Sequence, residues 1–280
     1  MLRGLAVVVL LTLNLVRWGT PVVLLGMVKL AVHLTAPRSR LRTRVILRLA
    51  ALAERWVAGN DRIFDRLLPT RWDVEGIGDE VRPTGHYLVI SNHVSWVDIF
   101  VLFRAFHGRA AFIRFFLKQQ LIWFPIVGQG CWALEFPFMR RYSPEYLAKH
   151  PEKRGKDLET TRRACQRYRN FPVAIANFAE GTRFTERKRD AQQSPYRHLL
   201  RPRAGGVGFV FASLGEQLDA VFDVTIAYPR PEVSMWQFIT GRVERITVRA
   251  RQVEIPPPDA VKEWIDALWR EKDVLLDSFL

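Results

Sequence analysis

Apolar positions crowd the start of the chain and then break into short runs separated by polar segments. From Gly4 to Val16, and again from Val22 to Leu34, nearly every side chain is apolar, with Lys29 and His33 interrupting the second stretch. Arg17-Trp18-Gly19-Thr20-Pro21 divides the two halves. Proline breaks a helix interior or opens a new helix, so the pattern predicts two short helices with a turn at 17–21. Each half has about 13 residues, short of the roughly 20 needed to cross a bilayer. A hairpin dipping into one leaflet and a single tilted span carrying Arg17 both fit. A secretory signal fits less well, because no small-x-small site followed by a polar start is evident. Arg38, Arg40, Arg42 and Arg44 follow at once as a basic collar suited to a cytoplasmic leaflet.

Past the collar, Val45 to Leu68 carries Ile46, Leu49, Leu52, Trp56 and Val57 at helical spacing. Strand-like runs follow at Trp72–Glu75, 87–91, Ala111–Leu117, Cys131–Met139, Val173–Phe178, Val221–Tyr228 and Val243–Ala250. Helical patterns lie between them at 98–106, Lys153–Tyr168 and Val207–Leu214. A last helix, opened by Asp259, turns Val261, Trp264, Ile265, Leu268 and Trp269 to one side. Strands interleaved with helices predict an α/β domain with a mixed, largely parallel sheet flanked by helices. No internal repeat or low-complexity tract interrupts it.

Composition narrows the partners. At 280 residues the chain can bury one substantial core with an appendage. A net charge of +14 favours anionic partners: membrane phospholipid, a nucleotide-bearing co-substrate, an acidic carrier protein or nucleic acid. Two cysteines, Cys131 and Cys165, supply neither a disulfide framework nor metal-ligand spacing. Cys131, in an apolar stretch beside Trp132, reads as a small core residue rather than a nucleophile.

The chemistry concentrates just past two of the expected strands, where α/β sheets commonly place ligand sites. After Tyr87-Leu88-Val89-Ile90 comes Asn92-His93-Val94-Ser95-Trp96-Val97-Asp98, a histidine with a carboxylate five positions on. Residues five apart are not stacked neighbours on a helix. The two can meet only if His93 lies on the turn and Asp98 near the start of the next helix. Asp98 would then hold the imidazole tautomer while the other ring nitrogen takes a proton. With no serine or cysteine in an elbow motif nearby, the proton would come from a substrate hydroxyl. Read blandly, the same residues are a structural histidine and a helix-capping aspartate. After Val173-Ala174-Ile175-Ala176-Asn177 comes Phe178-Ala179-Glu180-Gly181-Thr182-Arg183-Phe184. Here a glycine permits a tight strand exit, Thr182 offers a hydroxyl, and Arg183 offers a planar fork for phosphate oxygens that Glu180 could hold in place. A basic run follows through Arg187, Lys188, Arg189, Arg197, Arg201 and Arg203. It reads as a solvated loop or as a rim gathering anions. Arg203 is its best candidate, because Ala204-Gly205-Gly206 would let helix-start amides approach a phosphate.

In this order the two segments resemble the signature blocks of the glycerolipid acyltransferases, the 1-acylglycerol-3-phosphate O-acyltransferase family. Asn92, His93 and Asp98 match its Asn-His-x-x-x-x-Asp block. Phe178, Glu180, Gly181, Thr182 and Arg183 match its Phe-Pro-Glu-Gly-Thr-Arg block, with Ala179 in the proline position. Phe138-Met139-Arg140-Arg141 is similar to its intervening block, with Glu135 where a glycine usually precedes, so either Arg140 or Arg141 would face substrate. Val224 to Pro229 resembles a fourth block, and Lys118, Leu121 and Pro125 to Gly128 resemble the stretch joining the first two.

The resemblance implies transfer of a fatty acyl group from acyl-CoA or acyl-carrier protein to the free hydroxyl of lysophosphatidic acid, with no metal or tightly bound cofactor. His93 would be the base and Asp98 its partner. Arg183 with Arg141 would hold the acceptor phosphate, with Arg140, Lys118, Arg203, Glu180, Gly181 and Thr182 completing the substrate-binding set. It also favours an N-terminal helical membrane anchor, expected as a hairpin with collar over residues 1–45 ahead of an acyltransferase domain over 46–280. The expected setting is a bacterial inner membrane with the catalytic domain facing the cytoplasm. Three rivals stand beside this expectation: another lysophospholipid acceptor, thioester or lipid hydrolysis by the same pair, and a non-enzymatic basic protein binding lipid or nucleic acid.

Overall fold

The computed structural model describes residues 1–36, 39–139, 150 and 166–279, and among these described residues the chain forms eight strands and eight helices. Two long helices, α1 (Leu2–Thr35) and α2 (Arg40–Leu67), come first. Then follow β1 (Arg71–Glu75), β2 (His86–Ser91), α3 (Val97–Phe106), β3 (Ile113–Phe115), β4 (Leu117–Lys118), α4 (Val127–Ala133) and β5 (Phe138–Met139). The second half holds β6 (Val173–Phe178), α5 (Glu186–Ala191), α6 (Ala204–Leu214), β7 (Ala220–Ala227), α7 (Met235–Ile239), β8 (Arg245–Val253) and α8 (Val261–Asp277).

The main sheet has the order β1-β8-β7-β2-β6-β3. Strands β7, β2, β6 and β3 are parallel, β8 runs antiparallel to β7, and β1 lies parallel to β8. This is the expected mixed, largely parallel sheet, and its parallel strands β7, β2 and β6 are mostly apolar because both faces are covered. Tyr87, Val89, Ala174, Ala176, Phe222 and Val224 face a core shared with α1, α2 and α3. Leu88, Ile90, Val173, Ile175 and Val221 face a second core closed by α6 and α8. Ser91 pairs with Phe178, so β2 and β6 end side by side and deliver their following loops to one edge of the sheet.

The N-terminus departs from expectation. No turn forms at 17–21: α1 runs unbroken through Pro21. The hairpin is instead made by α1 and α2, which pack on each other across the 36–39 connection. A proline inside a helix costs about 3 kcal/mol, and here packing along the whole helix outweighs it. Val7, Val22 and Val32 are buried, α1 touches α7 near its start, and at Gly26 it meets α4 so closely that a Cβ would fall 2.6 Å from the Ala133 Cβ. At 1.5 Å per residue the helix is about 51 Å long, and it lies along the α/β domain rather than away from it. Its outward face, including Leu5, Val9, Leu13, Val16, Leu24 and Met27, is exposed and apolar.

A buried charge cluster locks this hairpin down. The Lys29 ammonium donates to the carbonyls of Trp132 and Ala133 at 3.2 and 2.8 Å and to Glu135 Oε1 at 3.1 Å. The Arg42 guanidinium reaches the same oxygen at 2.9 Å, so this member of the collar points inward. Although burial alone would raise it, the Lys29, Arg167 and Arg42 cations hold the Glu135 carboxyl below the usual range. Glu135 has φ +64°, the left-handed region that suits the glycine its position resembles.

The run Cys131–Met139, expected to be extended, is helical to Ala133 in α4 and extended only over β5. A short apolar run does not by itself separate a buried helix from a strand. Of the expected helix at Lys153–Tyr168, residues 153–165 lie outside the described residues, and 166–168 are helical. Lys29→Met is expected to cost about 3 kcal/mol, because it strips a partner from a buried carboxylate. An unchanged thermal midpoint in detergent would show that the lock contributes nothing.

Candidate active site

The site begins with how β2 ends. Asn92 is fully buried, and its side chain mimics a strand residue: Nδ2 donates to the Ile226 carbonyl at 2.9 Å, and Oδ1 accepts from the Ile226 amide at 2.9 Å. This pins the end of β2 to β7 and turns the chain outward at His93. The turn then closes on Asp98, in the first turn of α3.

Asp98 is buried with no exposure, yet both of its oxygens accept hydrogen bonds. Oδ2 accepts from the Val94 and Ser95 amides at 2.7 and 2.9 Å and contacts His93 Nδ1 at 2.8 Å. Oδ1 accepts from the Tyr228 hydroxyl at 2.5 Å. An oxygen already accepting two amides can only accept from the ring, so Nδ1 carries its hydrogen and Nε2 keeps a lone pair. The imidazole lies flat on Phe178, ring centroids 4.0 Å apart and planes within 12°, and Phe178 stacks in turn on Phe115. A proton acceptor with a fixed tautomer and a fixed plane is what this arrangement supplies.

Tyr228 is the residue the sequence reading passed over. It closes the strand of the fourth block, and the signal for it was a hydroxyl-bearing side chain in an otherwise apolar run. Burial, with the Asp98 charge beside it, pushes the Tyr228 hydroxyl well above its ordinary range, so it stays a donor.

The second segment is stitched to the first. Glu180 was expected to steady Arg183, but it is fully buried and holds backbone instead: Oε1 accepts from the His93 amide at 3.1 Å and Oε2 from the Leu200 amide at 3.2 Å. Burial pushes its carboxyl up to about 8 against the pull of those two amides. The Phe184 amide donates to the His93 carbonyl at 2.6 Å, so both backbone groups of His93 are held by this loop. Gly181 has φ +69°, as a tight strand exit requires. The Lys188 ammonium donates to Thr182 Oγ1 at 3.0 Å and to the Arg183 carbonyl at 2.7 Å, a clasp that the sequence reading folded into its basic run.

The remaining candidates are dispersed around this centre. Arg183 is exposed, its guanidinium 5.0 Å from the Trp96 ring, so it projects beside the dyad's own turn. Lys118 is exposed on β4, paired in register with Met139 of β5. Arg203 precedes α6 with its side chain exposed, and its amide donates to the Ala179 carbonyl at 2.8 Å. Arg140 and Arg141 lie outside the described residues. Much of the basic run is tied locally rather than open: Arg197 bonds Asp277, Arg189 bonds the Arg197 carbonyl, and Arg201 bonds the carbonyls of Gln192 and Gln193. Among the described residues no three His, Cys, Asp or Glu side chains converge as metal ligands.

On the α1 side of the sheet lies a cavity of about 510 Å³ with an almost wholly apolar lining. Trp18 and Val22 of α1, Trp56 of α2, Phe103 of α3, and Phe115 and Trp96 form its walls. Phe115 continues through Phe178 to His93, and Trp96 continues to Arg183, so the cavity, the dyad and the arginine share an edge. Cys131 also lines it, and burial pushes its thiol up to about 12, which leaves it inert as a nucleophile.

A family model described as Acyltransferase matches residues 73–228. The chain is 28% identical over 213 residues to 1-acyl-sn-glycerol-3-phosphate acyltransferase 2 of Brassica napus, covering 70% of this chain and 52% of that one. It is 24% identical over 230 residues to 1-acyl-sn-glycerol-3-phosphate acyltransferase epsilon of Mus musculus, covering 72% of this chain and 60% of that one. The chain thus spans about half the length of relatives such as the Brassica protein. In fold it is similar to the crystal structure of the 1-acyl-sn-glycerophosphate (LPA) acyltransferase PlsC from Thermotoga maritima, with TM-score 0.51 and 16% identity over 94% of this chain and 97% of that one.

Two measurements check this geometry. Tyr228→Phe strands a buried carboxylate oxygen, and the lost hydrogen bond to a charged group should cost about 1.5–3 kcal/mol of stability. An unchanged unfolding midpoint for Tyr228→Phe would show that its hydroxyl does not hold Asp98. Glu180 supplies a pH test. Its folded pKa of about 8 lies above the unfolded value, so the fold holds more protons than the unfolded chain between the two. This group's contribution to stability therefore falls as pH rises from about 4.5 to 8, and Glu180→Gln should show a flatter slope in that window.

Proposed function

The chain belongs to the acyltransferase family, and on that premise we propose that it moves a fatty acyl group from a thioester donor to the free hydroxyl of lysophosphatidic acid, giving phosphatidic acid. The observation that carries the reading is the His93–Asp98 pair with its imposed tautomer, set beside an apolar cavity and an exposed arginine.

In this mechanism the acceptor hydroxyl approaches His93 Nε2, which removes its proton as the oxygen attacks the thioester carbonyl. Asp98 keeps Nδ1–H pointed away from the reaction and stabilises the imidazolium that forms. The imidazolium then returns the proton to the departing thiolate, so the thiol leaves neutral and the base is restored. His suits the step because its ordinary pKa, about 6.5, is near working pH. The cavity accepts the acyl chain; its volume lies within the roughly 300–1,000 Å³ of ligand pockets. Arg183 with Arg141 engages the acceptor phosphate as a planar fork. Lys118 and Arg203 extend the positive edge for the phosphates of acyl-CoA or for an acidic carrier protein. Glu180, Gly181 and Thr182 shape the pocket rather than touch the phosphate. The donor is a co-substrate, and no metal enters the step.

Membrane association is part of the proposal, since the exposed apolar face of α1 needs a lipid environment. Because α1 is held to the domain along its length, the reading is a hairpin lying in one leaflet, on the cytoplasmic side of a bacterial inner membrane.

The test compares wild type and His93→Ala at matched levels, supplied with acyl-CoA and lysophosphatidic acid. Phosphatidic acid should form with wild type and fall by about 10²–10⁴-fold with the variant. Free fatty acid with lysophosphatidic acid unconsumed would identify a hydrolase. Undiminished transfer by His93→Ala would remove it as the base.

A further inference from the structure

Between β4 and α4 the chain forms a lip that the proposed chemistry does not use. A short 3₁₀ turn over Gln119–Trp123 ends in Phe124-Pro125-Ile126. Trp123 is 82% exposed and Phe124 60%, an outward display of adjacent large rings that a solvated surface does not favour. The exposure is not the result of a loose loop. The Phe124 amide donates to the Leu121 carbonyl at 3.1 Å, the Gly128 amide to the Phe124 carbonyl at 2.7 Å, and Gln129 Nε2 to the Ile122 carbonyl at 3.1 Å.

The lip is also strained. Ile126 sits at φ +61°, ψ −51°, the centre of a γ-turn closed by the Val127 amide on the Pro125 carbonyl at 2.6 Å. A β-branched residue at positive φ is a genuine outlier, and such strain persists only where the surroundings impose it. Here the surroundings are α1: the Ile126 side chain lies on the bare backbone of Gly19, where a Cβ would come within 2.6 Å of Ile126 Cγ2. The contact joins the lip to α1 beside the exposed Val16. Leu121, Phe124, Ile126 and Val127 meanwhile line the apolar cavity, so the lip is its rim.

We propose that this lip is a second membrane contact, inserting Trp123 and Phe124 into the interfacial zone of a lipid leaflet so that the cavity opens directly to the bilayer. The proposal rests on the acyltransferase reading only for why the cavity must be filled from lipid. Lipid is favoured over a protein partner for two reasons. Between Leu5 and Met27 the exposed face of α1 is apolar apart from Thr12, Arg17 and Thr20, whereas a protein interface has a polar rim around its core. Tryptophan with a neighbouring cation is also the side-chain pattern of the headgroup level: Arg17 and Arg55 lie 5.2 and 5.5 Å from the Trp18 ring, and Lys118 directly precedes the lip.

The test uses the full chain with Trp123→Ser and Trp123→Phe, since Trp123 faces out and is not among the cavity-lining residues. Binding to vesicles of phosphatidylethanolamine and phosphatidylglycerol is measured by sedimentation. Transfer is measured on a bilayer-embedded acceptor and on a short-chain acceptor kept monomeric. Trp123→Ser should bind vesicles about tenfold or more weakly, as expected for one large apolar side chain kept out of lipid. It should lose transfer on the bilayer acceptor while matching wild type on the monomeric one, and Trp123→Phe should retain most of both. Brominated lipid should quench a fluorescence component present in wild type and missing from Trp123→Phe. Vesicle binding by Trp123→Ser equal to wild type would overturn the proposal. So would a dimer in detergent that the substitution converts to monomer, because the face would then be an interface between copies. If neither protein transfers acyl groups to either acceptor, the catalytic reading fails, while the binding and quenching arms still decide the lip.

Discussion

The structure turns on one buried carboxylate. Asp98 has no exposure, and a charge placed there without partners would cost several kcal/mol. Its two oxygens instead gather two amides of the turn, the His93 ring and the Tyr228 hydroxyl. Those donors come from three places: the loop after β2, the histidine on it, and the residue that follows β7. Satisfying one anion therefore fixes the mutual position of two adjacent strands and the helix between them. The orientation that the proposed role asks of His93 is a by-product of that demand, since the ring meets Oδ2 by presenting Nδ1–H as its third donor.

The same device recurs at two other junctions. Glu180 draws the His93 amide and the Leu200 amide to one buried carboxyl, joining the loop after β2 to the segment entering α6. Glu135 draws Lys29 of α1 and Arg42 of α2 to one carboxylate, joining the hairpin to the domain. The three differ in what balances the charge. Glu135 is surrounded by cations and is held low. Glu180 is bonded by two amides, which burial outweighs, and is pushed up. Asp98 has amides, a hydroxyl and a ring that becomes cationic when it takes a proton. Only this third environment would gain a full counter-charge if the ring took a proton, and that is the change the role proposed for His93 requires.

Much of this was legible in the sequence. The alternation of runs gave the sheet, because parallel strands buried on both faces are mostly apolar along their length. His93 and Asp98 stood out because a spacing of five makes sense only across a turn. What was not legible followed from contacts far apart in the chain. Glu180 looked like a partner for its neighbour Arg183, and nothing local reveals that it points inward to an amide 87 residues away. Tyr228 sits just past β7, and its place at the end of a mostly apolar run says only that it is buried. Pro21 looked like a break because local propensity says so, and packing spread over the whole of α1 overrides it. Cys131–Ala133 failed for the opposite reason: a short apolar run has no period long enough to tell helix from strand.

The unbroken α1 changes what an anchor is in this molecule. A helix leaving the domain to cross a bilayer would be a tether, and the chemistry would proceed without regard to it. Here Leu15, Trp18, Gly19 and Val22 of α1 are themselves cavity wall, and Lys29 is part of the core's charge balance. One face of the helix is therefore committed to the site and the other to an apolar exterior. The wall that would hold a substrate chain and the surface that would meet the lipid are thus separated by the thickness of a single helix. On the proposed function, a cavity built this way would need no aqueous route for an apolar chain, and a fold that places His93 at the sheet edge, Arg183 outside it and α1 along the cavity would order the two halves of a lipid as a bilayer does.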